Sequence, residues 1–234
     1  MQLDGSFEFA AFLTRPNRYL AYVRLENTRE EVACHVPDPG RLKELLIPEA
    51  QVLVRHEKGA KRKTSFTVVG VKKGEIWVNI ESVFTNRIFR EEYKNIPSLE
   101  GYEIIRSEYT FGNSRIDFLM KNTHSNKEVL LEVKGVSLVK DGHALFPDSP
   151  TARGIKHVKE LEQAVKKGCE SIIVFIVRRE DAVKFSPHEE IDPTFTKQLK
   201  SAVENGVKMI AVSCKYDPLK SKEIRIQEEI PLVL

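Results

Sequence analysis

The sequence predicts a chain of α/β class, α+β overall, in which a small β-barrel is followed by a mixed sheet flanked by helices. Three observations predict this. Between Ser6 and Ile80 short apolar runs alternate with turn residues, the signature of closely spaced strands. Beyond residue 81 helix-like and strand-like stretches alternate, an order that lays helices against a sheet. The 234 residues, 41% apolar and 30% charged, suffice to bury one large core or two smaller ones, which excludes a disordered chain. The net charge is 37 − 34 = +3, which excludes a histone-like basic polymer. Any nucleic-acid contact must therefore come from local clustering of charge.

In the first part, residues 1–81, strands are expected over 7–13, 19–25, 31–36, 51–55, 64–71 and 75–80. Arg15-Pro16-Asn17 and Lys72-Lys73-Gly74 supply hairpin turns. The Pro-rich turn Pro37-Asp38-Pro39-Gly40 feeds a short helix over 41–46 that Pro48 ends. An OB-type barrel with one inserted helix accommodates that order.

The second part, residues 82–234, opens with a helix over 82–94 that carries Phe84, Ile88 and Phe89 on one side, and Pro97-Ser98 closes it. Strands follow over 102–111, 115–120 and 128–136. A helix over 151–167, a strand over 171–177, a helix over 193–205 and a strand over 207–213 complete the pattern. Gly168 and Gly206 stand where helices end, and Asp192-Pro193 reads as an N-cap followed by the first helical residue.

No apolar run reaches the roughly 18 residues that a bilayer span needs, and Met1-Gln2-Leu3-Asp4-Gly5 lacks the regions of a signal peptide. A cytoplasmic protein with no membrane partner is the expectation, and the sequence leaves a homodimer open. Cys34, Cys169 and Cys214 are odd in number and widely spaced, so they suit neither a disulfide framework nor a zinc ribbon and are expected as small buried side chains.

The chemistry concentrates in Gly112-Asn113-Ser114-Arg115-Ile116-Asp117-Phe118-Leu119 and Leu130-Leu131-Glu132-Val133-Lys134. Period-two geometry puts Glu132 and Lys134 on one strand face, and Arg115 with Asp117 on a face opposite Ile116 and Phe118. If the strands pair as a hairpin, Asp117 and Glu132 converge beside Lys134. Two carboxylates at one point repel unless a cation lies between them, and an all-oxygen pair suits Mg²⁺ or Mn²⁺. Lys134 would then orient a water nucleophile or steady charge on a scissile phosphate. Glu-x-Lys occurs twice, and the copy at Glu92 and Lys94 belongs to a polar helix end; only Glu132 and Lys134 sit in an apolar strand, where a charge needs a partner. The plainer alternative is a surface Glu and Lys pair on an edge strand, worth about 1 kcal/mol or less.

Those motifs, with Phe146-Pro147-Asp148-Ser149-Pro150-Thr151-Ala152-Arg153-Gly154 and His35-Val36-Pro37-Asp38-Pro39-Gly40-Arg41-Leu42, resemble the sugar fermentation stimulation protein family (SfsA) across nearly the whole chain. The order of helix, strand, Asp-bearing strand and Glu-x-Lys strand resembles the PD-(D/E)xK nuclease superfamily. The resemblance implies an OB-like domain joined to a nuclease-like domain, in a family described as DNA-binding and linked to regulation of sugar metabolism genes. It puts metal ligands on Asp117 and Glu132, with the Val133 carbonyl as an extra ligand, and the catalytic lysine on Lys134. A further acid would come from Glu108, or from Glu91 or Glu92 on the first helix. Whether such a site cuts DNA or serves a non-catalytic regulator stays open, as does a hydrolase of small phosphate or nucleotide substrates.

Arg55, Lys58, Lys61, Arg62, Lys63, Lys72 and Lys73, opposed only by Glu57, give a local balance of +6. A basic hairpin of this kind suits a phosphate backbone, with Phe66 or Trp77 as stacking platforms, or else keeps an edge strand from aggregating. Arg41, with His35 and Asp38, forms a second polar focus. Arg115, Arg153 and His157 complete the candidate nucleic-acid contacts, and Arg153, His157 and Glu160 share one face of their helix, a face that ordinary solvent-side polarity would also explain.

Overall fold

The structure, a computed structural model, describes residues 1–57 and 62–234. In the first domain β1 (Phe7–Asn17), β2 (Leu20–Leu25), β3 (Glu31–His35), β4 (Gln51–His56) and β5 (Phe66–Lys73) close into a barrel, and β6 (Ile76–Asn79) extends β5. Closure comes from a short parallel pairing of β3 with β5, Cys34 opposite Phe66 and His35 opposite Thr67. Register shifts between Phe12 and Thr14 and between Leu53 and Val54 give the strands the bend that closure demands. Inward residues of the strands, Ala10, Phe12, Ala21, Val23, Val52, Val54, Val68 and Val71, fill the interior.

The helix expected over 41–46 does not form; these residues make turns. Leu42 has φ +50°, a left-handed conformation that stops a helix before it starts, and Pro48 removes the donor that could prolong one. The apolar spacing acts differently here: Leu42, Leu45 and Leu46 plug the barrel core.

The second domain begins with α1 (Thr85–Glu92), with 3-10 turns at Ser82–Phe84 and Tyr93–Asn95 before and after it. Then come β7 (Tyr102–Phe111), β8 (Ser114–Asn122), β9 (Glu128–Val136), β10 (Val139–Lys140), β11 (His143–Phe146), α2 (Ala152–Lys166), β12 (Glu170–Val177), β13 (Lys184–Pro187), α3 (Pro193–Glu204), β14 (Lys208–Asp217) and β15 (Glu223–Glu229). The main sheet runs β15-β14-β12-β9-β8-β7, with β12 parallel to both β9 and β14 and the outer pairs antiparallel. The parallel pairings require crossovers, and α2 and α3 supply them. The sequence reading passes over β15, whose seven residues are mostly charged or polar, and over the small sheet β10-β11-β13, because strands of two to four residues show no measurable alternation.

Apolar side chains cover both faces of the main sheet. One cluster joins Ile88 and Phe89 of α1 with Phe118, Leu131, Val133 and, from the barrel, Leu53, Val69 and Trp77. The other joins Val158, Leu161 and Ala164 of α2 with Ile116, Leu119, Leu130 and Phe195 of α3. The two domains therefore share a core, with Tyr216 of β14 lying against Gly70 of β5 where no side chain could fit. Ile116 and Phe118 fall in opposite clusters, so the strict alternation expected across 115–118 breaks at Asp117. Opposite it, Glu108 adopts φ +56° between the pairs Ser107 with Phe118 and Tyr109 with Ile116. This irregularity turns Asp117 out of the layer its neighbours define.

Cys34, Cys169 and Cys214 are free thiols. Burial pushes both Cys34 and Cys214 up to about 12, which leaves them unreactive. Among the described residues no helix is long and apolar enough to cross a membrane.

Candidate functional site

Asp117 lies at the end of the regular pairing between β8 and β9, directly beside Glu132. The β8–β9 register places Phe118 opposite Leu131, so the next step brings the two acids together. Asn86 of α1 donates to Asp117 Oδ1 at 2.7 Å and the Val133 backbone N–H donates to Oδ2 at 2.8 Å. Burial, followed by the nearby Glu132 charge, raises the Asp117 carboxyl above its ordinary value despite those donors.

Glu132 is 2% exposed and faces α2. Its Oε1 accepts from Lys134 Nζ at 2.5 Å and touches His157 Nδ1, while the Asp117 N–H approaches Oε2 at 3.4 Å. Burial alone would push this carboxyl up, but His157 and Lys134 outweigh it and hold Glu132 below the usual range. Adjacent carboxylates are thus driven apart, Glu132 kept ionised and Asp117 easier to protonate.

These groups form the floor of a cleft of ≈ 620 Å³ walled by both domains. The barrel contributes Arg18, Asp38 and Gly40, α1 contributes Asn86 and Arg90, and the first turn of α2 contributes Arg153 and Gly154. Thr151 caps α2 by accepting from the Gly154 N–H at 3.0 Å, and Asp192 holds Thr151 in turn by accepting its N–H at 2.8 Å. A helix N-terminus beside arginines favours a negatively charged ligand.

A polar clasp fixes the barrel wall of the cleft. Arg178 NH2 donates to Asp38 Oδ2 at 2.6 Å, both side chains buried, and Asp38 Oδ1 accepts the Gly40 N–H at 2.8 Å. Asp148, from the second domain, accepts the Arg41 N–H at 2.7 Å. A Cβ on Gly40 would collide with both carboxylates, so only glycine fits there. Arg15 ties the carbonyls of Arg18, Asp38, Gly40 and Arg41 together at 2.6 to 2.9 Å.

Of the residues singled out from sequence, Asp117, Glu132, Lys134 and Val133 come together on the cleft floor, with His157 buried against them and Arg153 Nε 3.4 Å from His157 Nε2. Glu108 lines the same cleft but is exposed, and pairs loosely with Arg115 at 3.6 Å. Glu92 instead binds the Met1 ammonium at 2.9 Å and Glu91 binds Arg87 at 2.7 Å; neither lines the cleft. Glu160 stands away from it too, packed against Gly112 at the β7–β8 turn. Among the described residues no group of three or more His, Cys, Asp or Glu is arranged to hold a metal, so the candidate set is a carboxylate pair with a backbone carbonyl.

The basic strip of the barrel does not present one free face. Arg55 is consumed by Glu81 at 2.7 Å and Glu57 at 3.0 Å. Burial pushes Glu81 up to about 7 against the pull of Arg55. Arg62 leans on Glu57 and Thr67 but keeps 40% of its side chain exposed, and Lys63 is exposed beside it. Lys58 and Lys61 lie outside the described residues. Lys72 and Lys73 donate to the carbonyls of Glu75 and Glu44. Trp77 is 8% exposed and stacks on Phe9, and Phe66 packs on His56, so neither is an open stacking platform. Arg41 is exposed and does not line the cleft, although the adjoining Gly40 does.

Asn86, Arg90, Arg18 and Arg178, the partner of Asp38, escaped the sequence reading. A search for acids passes over an amide, although Asn86 and Arg90 are four apart and share a helix face. Arg178 directly follows the apolar run Ile172–Val177, and a charge at that point is a signal that a buried partner exists.

A closed five-stranded barrel joined to a mixed sheet that carries Asp117 and Glu-x-Lys at the domain junction defines a two-domain class in which the cleft needs both domains. Residues 13–80 match the SfsA N-terminal OB domain and residues 83–220 match the sugar fermentation stimulation protein RE domain. The chain belongs to the SfsA family. The sugar fermentation stimulation protein homologs of Clostridium acetobutylicum and Clostridium tetani are each 40% identical to it over the full length of both chains. The solved structure of Pyrococcus furiosus SfsA in complex with Ca²⁺ is similar over the whole of both chains, with 28% identity and a TM-score of 0.84.

Proposed function

We propose that this chain binds DNA and hydrolyses its phosphodiester bonds with Mg²⁺ or Mn²⁺. The observation that carries this reading is the half-buried Asp117 paired with the buried Glu132 beside Lys134, at the floor of a cleft lined with Arg18, Arg90 and Arg153. The donors fit such an ion: two carboxylates and the Val133 carbonyl are all hard oxygen ligands, and burial followed by the Glu132 charge raises the Asp117 carboxyl, the second of which a cation relieves. That a relative of the same fold is known in complex with Ca²⁺ supports a hard divalent cation. When bound, the ion would polarise a phosphate oxygen and acidify a water.

The remaining work falls to the chain itself. Glu132 is kept ionised by Lys134 and His157, so it is ready to ligate at neutral pH. Lys134, held by Glu132, carries its ammonium at the cleft floor, where it would orient the attacking water or steady the charge that develops on phosphate. Arg153 and the first turn of α2 would hold the phosphate. Incubating the purified protein with single-stranded, duplex and branched DNA plus Mn²⁺, beside Asp117→Ala, tests this. Product from the parent protein alone is expected; equal product in both, or none in either, refutes it.

One observation favours a second reading, a DNA-binding regulator of sugar metabolism genes whose fold does not cut. Each oxygen of the two carboxylates already has a donor, and the helix position facing Asp117 holds the neutral Asn86. DNA binding that persists in EDTA and in Lys134→Ala, with no cleavage under any metal, would decide for it.

A further inference from the structure

Two neighbouring residues of the β1–β2 turn serve different cavities. Arg18 lines the cleft above Asp117 and Glu132, whereas Tyr19 lines a separate pocket of ≈ 530 Å³ on the barrel, with His35, Arg62, Lys63 and Thr64. Tyr19 is the most exposed aromatic side chain among the described residues, at 58%. Its backbone is tethered: Asn17 Oδ1 accepts the Tyr19 N–H at 2.9 Å, and Arg15 grips the Arg18 carbonyl through NH2 at 2.6 Å, with NH2 also on the Asp38 carbonyl and NH1 on the Gly40 and Arg41 carbonyls of the clasp. Among the described residues no acidic side chain lines this pocket, while two permanent cations do.

An exposed ring on a tethered turn beside cations, with the preceding residue, Arg18, lining the cleft that holds the carboxylates, matches what an unpaired nucleotide requires. A base can lie on a protein ring only when it has left its own duplex stack. We propose that Tyr19 is a stacking platform for a base of an unpaired DNA strand, with Arg62 and Lys63 on its phosphates and Arg18 guiding the same strand into the cleft. The substrate class is then DNA with a single-stranded segment, and intact duplex is excluded from this pocket. The inference rests on the DNA reading above and adds the strand state that the site selects.

The test is fluorescence anisotropy with the full chain in EDTA, where cleavage is silent, using a labelled oligothymidylate and a blunt duplex of the same length. Tyr19→Ala should weaken oligothymidylate binding by about 10-fold or more and leave duplex binding unchanged, and Tyr19→Phe should bind as the parent does, because stacking needs the ring and not the hydroxyl. Equal oligothymidylate affinity in the parent and Tyr19→Ala overturns the inference, as does equal weakening by Ala and Phe. A single-stranded RNA of matched sequence bound tighter than the DNA would overturn the assignment to DNA. If the parent binds neither DNA, the DNA reading itself fails, which is a different result from a silent Tyr19.

Discussion

Removing the Asp38 carboxylate should cost this protein a large share of its stability. Arg178 is 2% exposed, and Asp38 Oδ2 at 2.6 Å is the acceptor for its NH2; Nε and NH1 are buried without partners. Asp38→Ala would leave the whole guanidinium buried and unpaired, and would orphan the Gly40 N–H that Asp38 Oδ1 accepts. Breaking a buried pair by deleting one partner costs about 3 to 5 kcal/mol. At roughly 2 to 4 °C per kcal/mol for a chain of this size, the Tm should fall by about 6 to 20 °C. Urea unfolding followed by circular dichroism gives the free energy. The double variant Asp38→Asn with Arg178→Met removes the buried charge as well, and should recover most of the loss. A loss below about 1 kcal/mol in Asp38→Ala, or a double variant as unstable as the sum of the singles, would refute the reasoning. It would mean that water already solvates Arg178 in the folded state.

Three further outcomes follow from the same geometry. Asn86→Asp would set a third carboxylate beside Asp117, and Mn²⁺ binding measured by calorimetry should tighten by roughly tenfold or more if Asp117 and Glu132 hold the ion; unchanged affinity would point elsewhere. Glu81 has its folded pKa raised from 4.5 to about 7, so it contributes stability below about pH 4.5 that is lost as pH rises through about 7. Between those values Glu81→Gln should show a flatter stability profile than the parent, read by urea titration at each pH. Gly112 has φ +58° and a Cβ there would come within 2.6 Å of Glu160 Oε2, so Gly112→Ala should destabilise by about 1 to 2 kcal/mol in the same assay, and parent-like stability would count against that left-handed turn.

Much of this protein was legible in its order of residues, because most elements announce themselves locally. Alternation marked the barrel strands, Asp192-Pro193 marked the start of α3, and Gly168 and Gly206 marked helix ends, each a matter of a few neighbouring side chains. The pairing of Asp117 with Glu132 was legible too, since a hairpin of known register brings together residues only 15 positions apart. Local pattern failed where a distant contact decided the conformation. The Leu42, Leu45 and Leu46 spacing reads as a helix, yet the barrel core claims those side chains and the chain bends to deliver them. Arg55 reads as a free cation in a basic run, yet Glu81, 26 residues on, neutralises it.

By itself, then, the sequence determined the fold class, the two strands of the carboxylate site and membership of the family. Only the tertiary structure decided what surrounds that site. Asn86 on Asp117, His157 on Glu132 and Asp38 on Arg178 join residues 31, 25 and 140 positions apart. The physical reason is that a charge taken out of water must find a partner in space, and separation along the chain places no limit on where the folded core supplies it.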